Sequence, residues 1–222
     1  MMVETRWNES DHPRESDGKF TDSGGGGGSA GSSGGEAQES GRQPRLKILE
    51  SQNAYQKERL EAGASFIPKN HAAVLKDVNI KGSKVIAMKP GESGAGLFTT
   101  IGGKPFIFVA DQIQRPNGRS RLEKDPATVL VHELGHALDE KYGLSSKLAG
   151  EFSKDVVNLK GPVKEWSQYF TQSNKEIFAE AYTYVHSSDK VGDHSWFGLS
   201  KKRAEQNFPN TITAVRNLKL PT

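Results

Sequence analysis

The sequence predicts an α+β domain with a small sheet and a helical C-terminal part, and three observations support that class. β-rich apolar runs lie between residues 83 and 110, where a Gly-Gly-Lys-Pro segment joins two of them. Helix-capping signals and helical apolar spacing dominate from Asp125 onward. Residues 1–45 hold 10 of the 24 glycines and almost no apolar side chains. We therefore expect one folded domain over 46–222 behind a disordered glycine-rich tail over 1–45.

Charge and composition exclude several classes of protein. Residues 1–45 carry 5 Lys/Arg and 8 Asp/Glu, so the tail is acidic, whereas residues 46–222 carry 25 and 19. The basic residues of the domain are dispersed, so we expect no nucleic-acid partner. No apolar run approaches the roughly 18 residues of a membrane span, and no secretory signal is recognisable, so we expect no membrane association. The absence of cysteine excludes disulfide scaffolds, thiolate metal sites and cysteine nucleophiles.

Residues 6–21 of the tail, RWNESDHPRESDGKFT, resemble short segments of bacteriophage head- and portal-associated proteins. That resemblance implies association with a virion and a location in the bacterial cytoplasm or the phage particle, and it leaves secretion by another route open. The alternative is a flexible linker, because the composition buries too little apolar area to order a chain.

The elements of the first half of the domain follow from short local patterns. Residues 46–62 have helix-forming composition with weak amphipathicity. A short helix is expected over 69–78 and a short strand over 83–88, where the following Pro90 ends it. The runs 97–101 and 106–110 predict a β-hairpin, and glycines ahead of it mark a loop; these glycines are Gly91, Gly94 and Gly96.

The second half of the domain is predicted to form helices with clear boundaries. Asp125 is an N-cap followed by a proline, and Gly143 closes the segment after an apolar stripe. Further helices are expected over 145–158, from about 173 to 187, and after Pro209.

The segment His132-Glu133-Leu-Gly-His136 contains candidate metal-binding and catalytic residues. Two histidines four residues apart project from one helix face, so both imidazoles can reach one metal ion, and Glu133 can address water bound to it. The alternative is two exposed histidines beside an ordinary glutamate. It is disfavoured because the helix is strongly apolar, where unpaired histidines are costly to bury.

A third ligand has to come from elsewhere in the chain, since catalytic zinc usually has three protein ligands. Glu176 and Glu180 lie four residues apart on a later predicted helix and are the candidates. Glu176 also stands three residues after Ser173, so it could instead complete a capping box.

The segments HELGHALD (132–139) and EIFAEAY (176–182) resemble the lethal-factor-like metallopeptidases, which include the catalytic domain of anthrax lethal factor and the clostridial Pro-Pro endopeptidases. The resemblance covers roughly residues 80–220 and extends to NFPNT (207–211). It implies a zincin-like fold and a gluzincin-type zinc endopeptidase. It also implies that Glu176 is the zinc ligand, that Glu180 is a supporting residue, and that Tyr169 assists catalysis.

The expected mechanism combines these parts. Zinc held by His132, His136 and Glu176 lowers the pKa of its water toward about 7 and polarises the scissile carbonyl. Glu133 takes the proton from that water and passes it to the leaving amine. Tyr169 donates a hydrogen bond to the oxyanion. The hairpin at 97–110 offers an edge strand above the site, and substrates of related peptidases pair with such an edge.

Other polar residues have competing interpretations. Glu180 can orient a ligand histidine by accepting its second ring N–H. Asp139 can do the same or cap a neighbouring group. Tyr169 can alternatively be a packed aromatic beside Trp166 and Phe170. The remaining histidines lack motif support, and those in the stretch after the second motif are expected to be solvent-exposed; these histidines are His12, His71, His186 and His194.

The sequence thus predicts a zinc-dependent endopeptidase that acts as a monomer on a protein or peptide substrate, with zinc as its cofactor. The alternative is a non-enzymatic virion-associated or interaction protein that uses the same fold as a scaffold and the tail as a tether. A zinc amidase that acts on peptidoglycan ranks last, because nothing in the sequence resembles a cell-wall-binding module.

Overall fold

The structure is a computed structural model that describes residues 46–87, 93–111, 113–114, 120–121, 125–191 and 195–220. The predicted tail over 1–45 lies outside the described residues, and its disorder stays a prediction. The described strands are β1 (Lys47–Glu50), β2 (Asn79–Ser83), β3 (Ile86–Ala87), β4 (Ser93–Gly94), β5 (Gly96–Ile101), β6 (Lys104–Ala110), β7 (Ile113–Gln114) and β8 (Ser120–Arg121). The described helices are α1 (Ala54–Phe66), α2 (Lys69–Val74), α3 (Pro126–Tyr142), α4 (Leu144–Lys147), α5 (Ala149–Val156), α6 (Gly161–Ser167), α7 (Asn174–Ser187), α8 (Lys201–Asn207) and α9 (Pro209–Arg216).

A four-stranded sheet in the order β1-β2-β6-β5 confirms the predicted α+β class. β1 and β2 are parallel, β2 and β6 are parallel, and β5 runs antiparallel to β6. Gly102 and Gly103 connect β5 to β6 with φ values of 57° and 76°, the left-handed conformations that a two-residue hairpin turn requires. The predicted hairpin is therefore confirmed, and β5 lies at the edge of this sheet.

The helix predicted from residue 46 is wrong in its first part. Lys47–Glu50 is a strand because it pairs with β2, and α1 begins only at Ala54. Asn53 sets that boundary, since its side chain accepts a hydrogen bond from the Gln56 amide at 2.8 Å. The strand predicted over 83–88 is described only as Ile86–Ala87, whereas the longer β2 precedes it and was not predicted.

α3 has the boundaries that its sequence predicts. The Asp125 carboxylate accepts a hydrogen bond from the Ala127 amide at 3.1 Å and pairs with Arg59 of α1. Gly143 ends the helix in the left-handed conformation, with φ 62°. α7 is likewise confirmed, with Ser173 as its N-cap. α3 and α7 pack closely, since a Cβ on Gly135 would lie 3.0 Å from the Ala179 Cα.

The remaining C-terminal helices depart from prediction in two places. The helix expected over 145–158 is divided at Leu148 into α4 and α5. α6 and α8 were not predicted, whereas α9 follows Pro209 as expected. None of the described helices is both long and apolar enough to cross a membrane.

Candidate metal centre

Two imidazoles of α3 face the same space. His132 and His136 each expose only 18% of their side chains, and their ring centroids are 4.9 Å apart. Their four-residue spacing places them on one face of the helix. The close approach of α7 at Gly135 then brings the acidic residues of α7 to that face.

Glu176 of α7 lies between the two histidines. Its Oε2 is 3.4 Å from His132 Nε2 and its Oε1 is 3.4 Å from His136 Nε2. One ligand atom from each of the three residues lies within 4.8 Å of the others, which makes this the potential metal-binding group among the described residues. The structure thus brings together the three residues that were predicted to hold a metal.

The donor set fits a zinc ion. Two imidazole nitrogens and one carboxylate oxygen are a common ligand set for catalytic zinc. Glu176 Oε2 is buried, and within the described parts of the chain its polar contact is the 3.4 Å ion pair with His132. A cation held by the three groups would satisfy this oxygen, because buried carboxylates are paired or coordinate a metal.

The capping-box interpretation of Glu176 holds only in part. The Glu176 amide donates to Ser173 Oγ at 3.2 Å, so Ser173 is a genuine N-cap. The Glu176 carboxylate faces the imidazoles of α3, as the two contacts of 3.4 Å show. The residue therefore serves the helix terminus through its backbone and the cluster through its side chain.

The charges of the cluster favour a bound cation. Burial lowers the pKa of His132, but hydrogen bonding with Glu176 and Glu180 outweighs it and raises that pKa to about 9. Burial raises the pKa of Glu176, but the hydrogen bonds with His132 and His136 lower it well below its usual range. The two shifts have one cause, the attraction between the imidazoles and the carboxylates of α7 that face them.

Glu133 lies beside the cluster against the edge strand. It is 7% exposed, and this burial raises the pKa of its carboxyl group, while the charges of His132 and His136 oppose the increase. Gly96 of β5 makes the contact possible, because a Cβ there would lie 2.3 Å from Glu133 Oε1. The carboxylate is therefore held between α3 and β5, beside both histidines.

The other two acidic candidates have separate roles. Glu180 is 4% exposed, and its Oε2 lies 3.4 Å from His132 Nδ1, on the opposite side of the ring from Glu176. This is the position from which a carboxylate orients a metal-binding histidine. Asp139 accepts hydrogen bonds from the Ser145 amide at 2.6 Å and from Ser145 Oγ at 2.9 Å. It therefore caps the start of α4, which is the second of its predicted alternatives.

Tyr169 lies after α6 and lines the same cavity. The residue is 63% exposed, so it is not the packed core aromatic of the alternative interpretation. Its ring contacts Phe170 edge-on at 5.1 Å. Partial desolvation and then the charge of Glu176 raise the pKa of its hydroxyl, which keeps the hydroxyl protonated and able to donate.

The expectation that His186 is solvent-exposed in a loop is wrong. His186 lies in α7, and its Nε2 is buried and has no hydrogen-bond partner among the residues that the structure describes. The ring centroid is 4.3 Å from that of Tyr182 and 5.5 Å from that of His71. Burial and the neighbouring cations lower the pKa of His186 to about 3, so it is neutral at physiological pH. His12 and His194 lie outside the described residues.

The cluster opens into a cavity of about 460 Å³. Strand β5 forms one wall, and the ends of α3 and α7 form the other. The lining residues are Gly96, Leu97, Phe98, Thr99, Thr100, His132, Glu133, His136, Asp139, Glu140, Tyr169, Lys175 and Glu176. Strand β5 and the three clustered side chains therefore line the same cavity.

Two groups of this site were not predicted from the sequence. Gly96 was assigned to a loop, although it begins β5 and admits the Glu133 carboxylate. The backbone amide of Phe197 donates to Glu180 Oε1 at 2.8 Å. The only sequence signal for this second group is the glycine that follows Phe197 within an apolar run.

The fold and the cluster define an α+β protein that presents a His–His–Glu group suited to a divalent metal ion. The chain is similar to the botulinum-like toxin eBoNT/J of Enterococcus sp. (strain 3G1_DIV0629), with 26% identity over 149 residues. That similarity covers 63% of this chain but only 10% of the toxin. No protein-family model matches the sequence.

Proposed function

We propose that this chain is a zinc-dependent endopeptidase of the gluzincin type. The observation that supports it best is the convergence of His132, His136 and Glu176 within 4.8 Å of one another. A buried glutamate and an open cavity lie directly beside this group. The similarity to a botulinum-like toxin and the resemblance of the two motifs to lethal-factor-like peptidases support the same activity.

His132 Nε2, His136 Nε2 and a Glu176 oxygen would hold the metal. A zinc ion in this position supplies Lewis acidity, which polarises the scissile carbonyl and acidifies the attacking water. Glu180 keeps the proton of His132 on Nδ1, so that the lone pair of Nε2 is directed toward the metal position.

Glu133 is the general base and then the general acid. Its carboxylate accepts a proton from the attacking water and delivers it to the leaving amine nitrogen. Its position supports both transfers, because Gly96 and α3 hold it at the floor of the cavity beside both histidines. Burial raises the pKa of this carboxyl group, which favours the protonated form that donates to the leaving amine.

Tyr169 supplies the hydrogen bond to the developing oxyanion. The residue lines the cavity, and its hydroxyl stays protonated near neutral pH because its pKa is raised. A donor aimed at the oxyanion acts mainly in the transition state, so it contributes to kcat more than to substrate binding.

The edge of β5 supports cleavage within a chain rather than at its end. β5 pairs with β6 on one side, and five of its residues (96–100) line the cavity on the other. A substrate strand can add to that edge by backbone hydrogen bonds. A substrate strand that pairs along these residues continues on both sides of the scissile bond. The proposed substrate is accordingly a protein or peptide, and the similarity to a toxin favours proteins of a target cell.

Cleavage of an unfolded protein by the zinc-loaded chain tests this function. The wild type is expected to bind one zinc ion per chain and to release internal fragments. Glu133→Gln is expected to keep the zinc and lose about 10²–10⁴-fold in rate. Glu151→Gln is a matched control on the exposed surface of α5, outside the cavity. Zinc binding without any cleavage by the wild type would favour a non-enzymatic scaffold, and near-normal cleavage by Glu133→Gln would contradict the mechanism.

A further inference from the structure

A tight turn over Trp196–Leu199 packs beneath the metal centre. The amide of Trp196 donates to the Leu199 carbonyl at 2.7 Å, and the amide of Leu199 donates to the Trp196 carbonyl at 2.8 Å. Between them, Phe197 and Gly198 have φ values of 52° and 74°. Trp196, Phe197 and Leu199 are each 2% exposed or less, so the turn is part of the core.

Phe197 adopts an unusual conformation for its type. A bulky residue with positive φ is a strained outlier, and it persists only where its surroundings hold it. Its ring stacks on Phe208 with centroids 4.1 Å apart and planes at 10°. Trp196 meets Tyr184 of α7 edge-on at 5.4 Å. Gly198 cannot be replaced without movement, because a Cβ would lie 2.3 Å from the Trp166 carbonyl oxygen.

The backbone amide of Phe197 contacts a carboxylate beside the metal centre. The Phe197 amide donates to Glu180 Oε1 at 2.8 Å, and the other oxygen of that carboxylate faces His132 Nδ1 at 3.4 Å. Glu180 is buried, so both of its oxygens require donors. The amide thus occupies one oxygen and leaves the second to the imidazole.

We propose that the Trp196–Leu199 turn is a positioning element for the metal centre, which acts through the bond from the Phe197 amide to Glu180. The inference rests on the proposed metal-binding function of His132. The turn fixes the rotation of the Glu180 carboxylate, and the carboxylate fixes the ring orientation and the Nδ1 proton of His132. The strain at Phe197 is stored at the residue whose backbone amide donates to the Glu180 carboxylate.

Replacement of Glu180 by glutamine separates this proposal from a general supporting role. A carboxylate offers an acceptor to each of two donors, whereas an amide side chain offers one acceptor and one donor. If the turn is fixed, the glutamine oxygen stays on the Phe197 amide and the NH₂ group faces Nδ1–H of His132. Two donors then oppose each other in the form of His132 that binds metal.

The experiment measures zinc affinity by competition with a chelator and exchange of the Phe197 amide hydrogen, in the full-length chain. For Glu180→Gln we expect zinc affinity to fall roughly 10–100-fold while the Phe197 amide stays as protected as in the wild type. Glu180→Ala is expected to lose both the zinc affinity and the protection of the Phe197 amide. Tyr184→Phe is the matched control on α7, the helix that carries Glu180, because it removes the bond from the Tyr184 hydroxyl to Glu205 of α8 and keeps the ring against Trp196.

Two results for Glu180→Gln would overturn the proposal: an unchanged zinc affinity, or a loss of Phe197 amide protection. Should that variant fail to fold, Phe208→Leu decides the question, since it loosens the ring beneath Phe197 and leaves Glu180 intact. Faster exchange of the Phe197 amide must then be accompanied by weaker zinc binding, and unchanged zinc binding overturns the proposal. A wild type that binds no zinc would contradict the proposed function itself, which is a separate outcome.

Discussion

Gly96→Ala tests the claim that Glu133 is held in place by the edge strand. A Cβ at this position would lie 2.3 Å from Glu133 Oε1, 2.7 Å from its Cγ and 2.8 Å from its Cδ. Ordinary van der Waals contact begins at about 3.4 Å, so the carboxylate must move by about 1 Å. A displacement of 1 Å at a catalytic group can cost about 10²-fold in rate. We therefore expect kcat to fall about 100-fold, which is about 2.7 kcal/mol of activation free energy.

The assay compares kcat, KM and zinc content in Gly96→Ala and wild type with one peptide substrate. Zinc content should be unchanged, because the three atoms nearest to an added Cβ all belong to Glu133, which is not a candidate ligand. Gly150→Ala is the control, since the same substitution in α5 meets nothing within 4 Å. Activity of Gly96→Ala within threefold of wild type would show that Glu133 acts without support from the edge strand.

Three further changes probe the rest of the site. Glu176→Ala should strip zinc, as measured by elemental analysis, whereas full retention would mean that Glu176 is not a ligand. Tyr169→Phe should lower kcat by about 10²–10³-fold with zinc content unchanged, and a change below threefold would leave the oxyanion donor unidentified. Acid should destabilise the fold, because burial lowers the pKa values of His71 and His186 in the folded chain relative to about 6.5 in the unfolded chain. This contribution to stability is complete above pH 6.5 and is lost as the pH falls toward the folded pKa of His186 at about 3. Urea unfolding should therefore show that the free energy of unfolding falls by about 2 kcal/mol between pH 7.5 and 5 because of His186. The same pH dependence of stability in His186→Gln would contradict this expectation.

Features set by neighbouring residues along the chain were predictable. The limits of α3 follow from Asp125 and Gly143, whose capping roles need no distant partner. The hairpin follows from Gly102 and Gly103 in the same way. The shared face of His132 and His136 follows from helical periodicity alone.

Features set by distant contacts were not predictable. Lys47–Glu50 is a strand because β2, some thirty residues later, pairs with it. His186 looked exposed because its sequence neighbours are polar, but its ring packs against His71 from α2. The role of the Phe197 amide could not be predicted from the pattern of side chains, since every residue except proline carries the same backbone donor.

Anomalous diffraction at the zinc absorption edge, from crystals of the zinc-loaded protein, would locate the metal and identify its ligands. We expect one strong peak about 2.0–2.2 Å from His132 Nε2, His136 Nε2 and a Glu176 carboxylate oxygen. We expect the same peak in Glu133→Gln, since Glu133 is not a ligand. An absent peak at this position, or a peak coordinated by other residues, would contradict the assignment of the metal centre and the peptidase function built upon it.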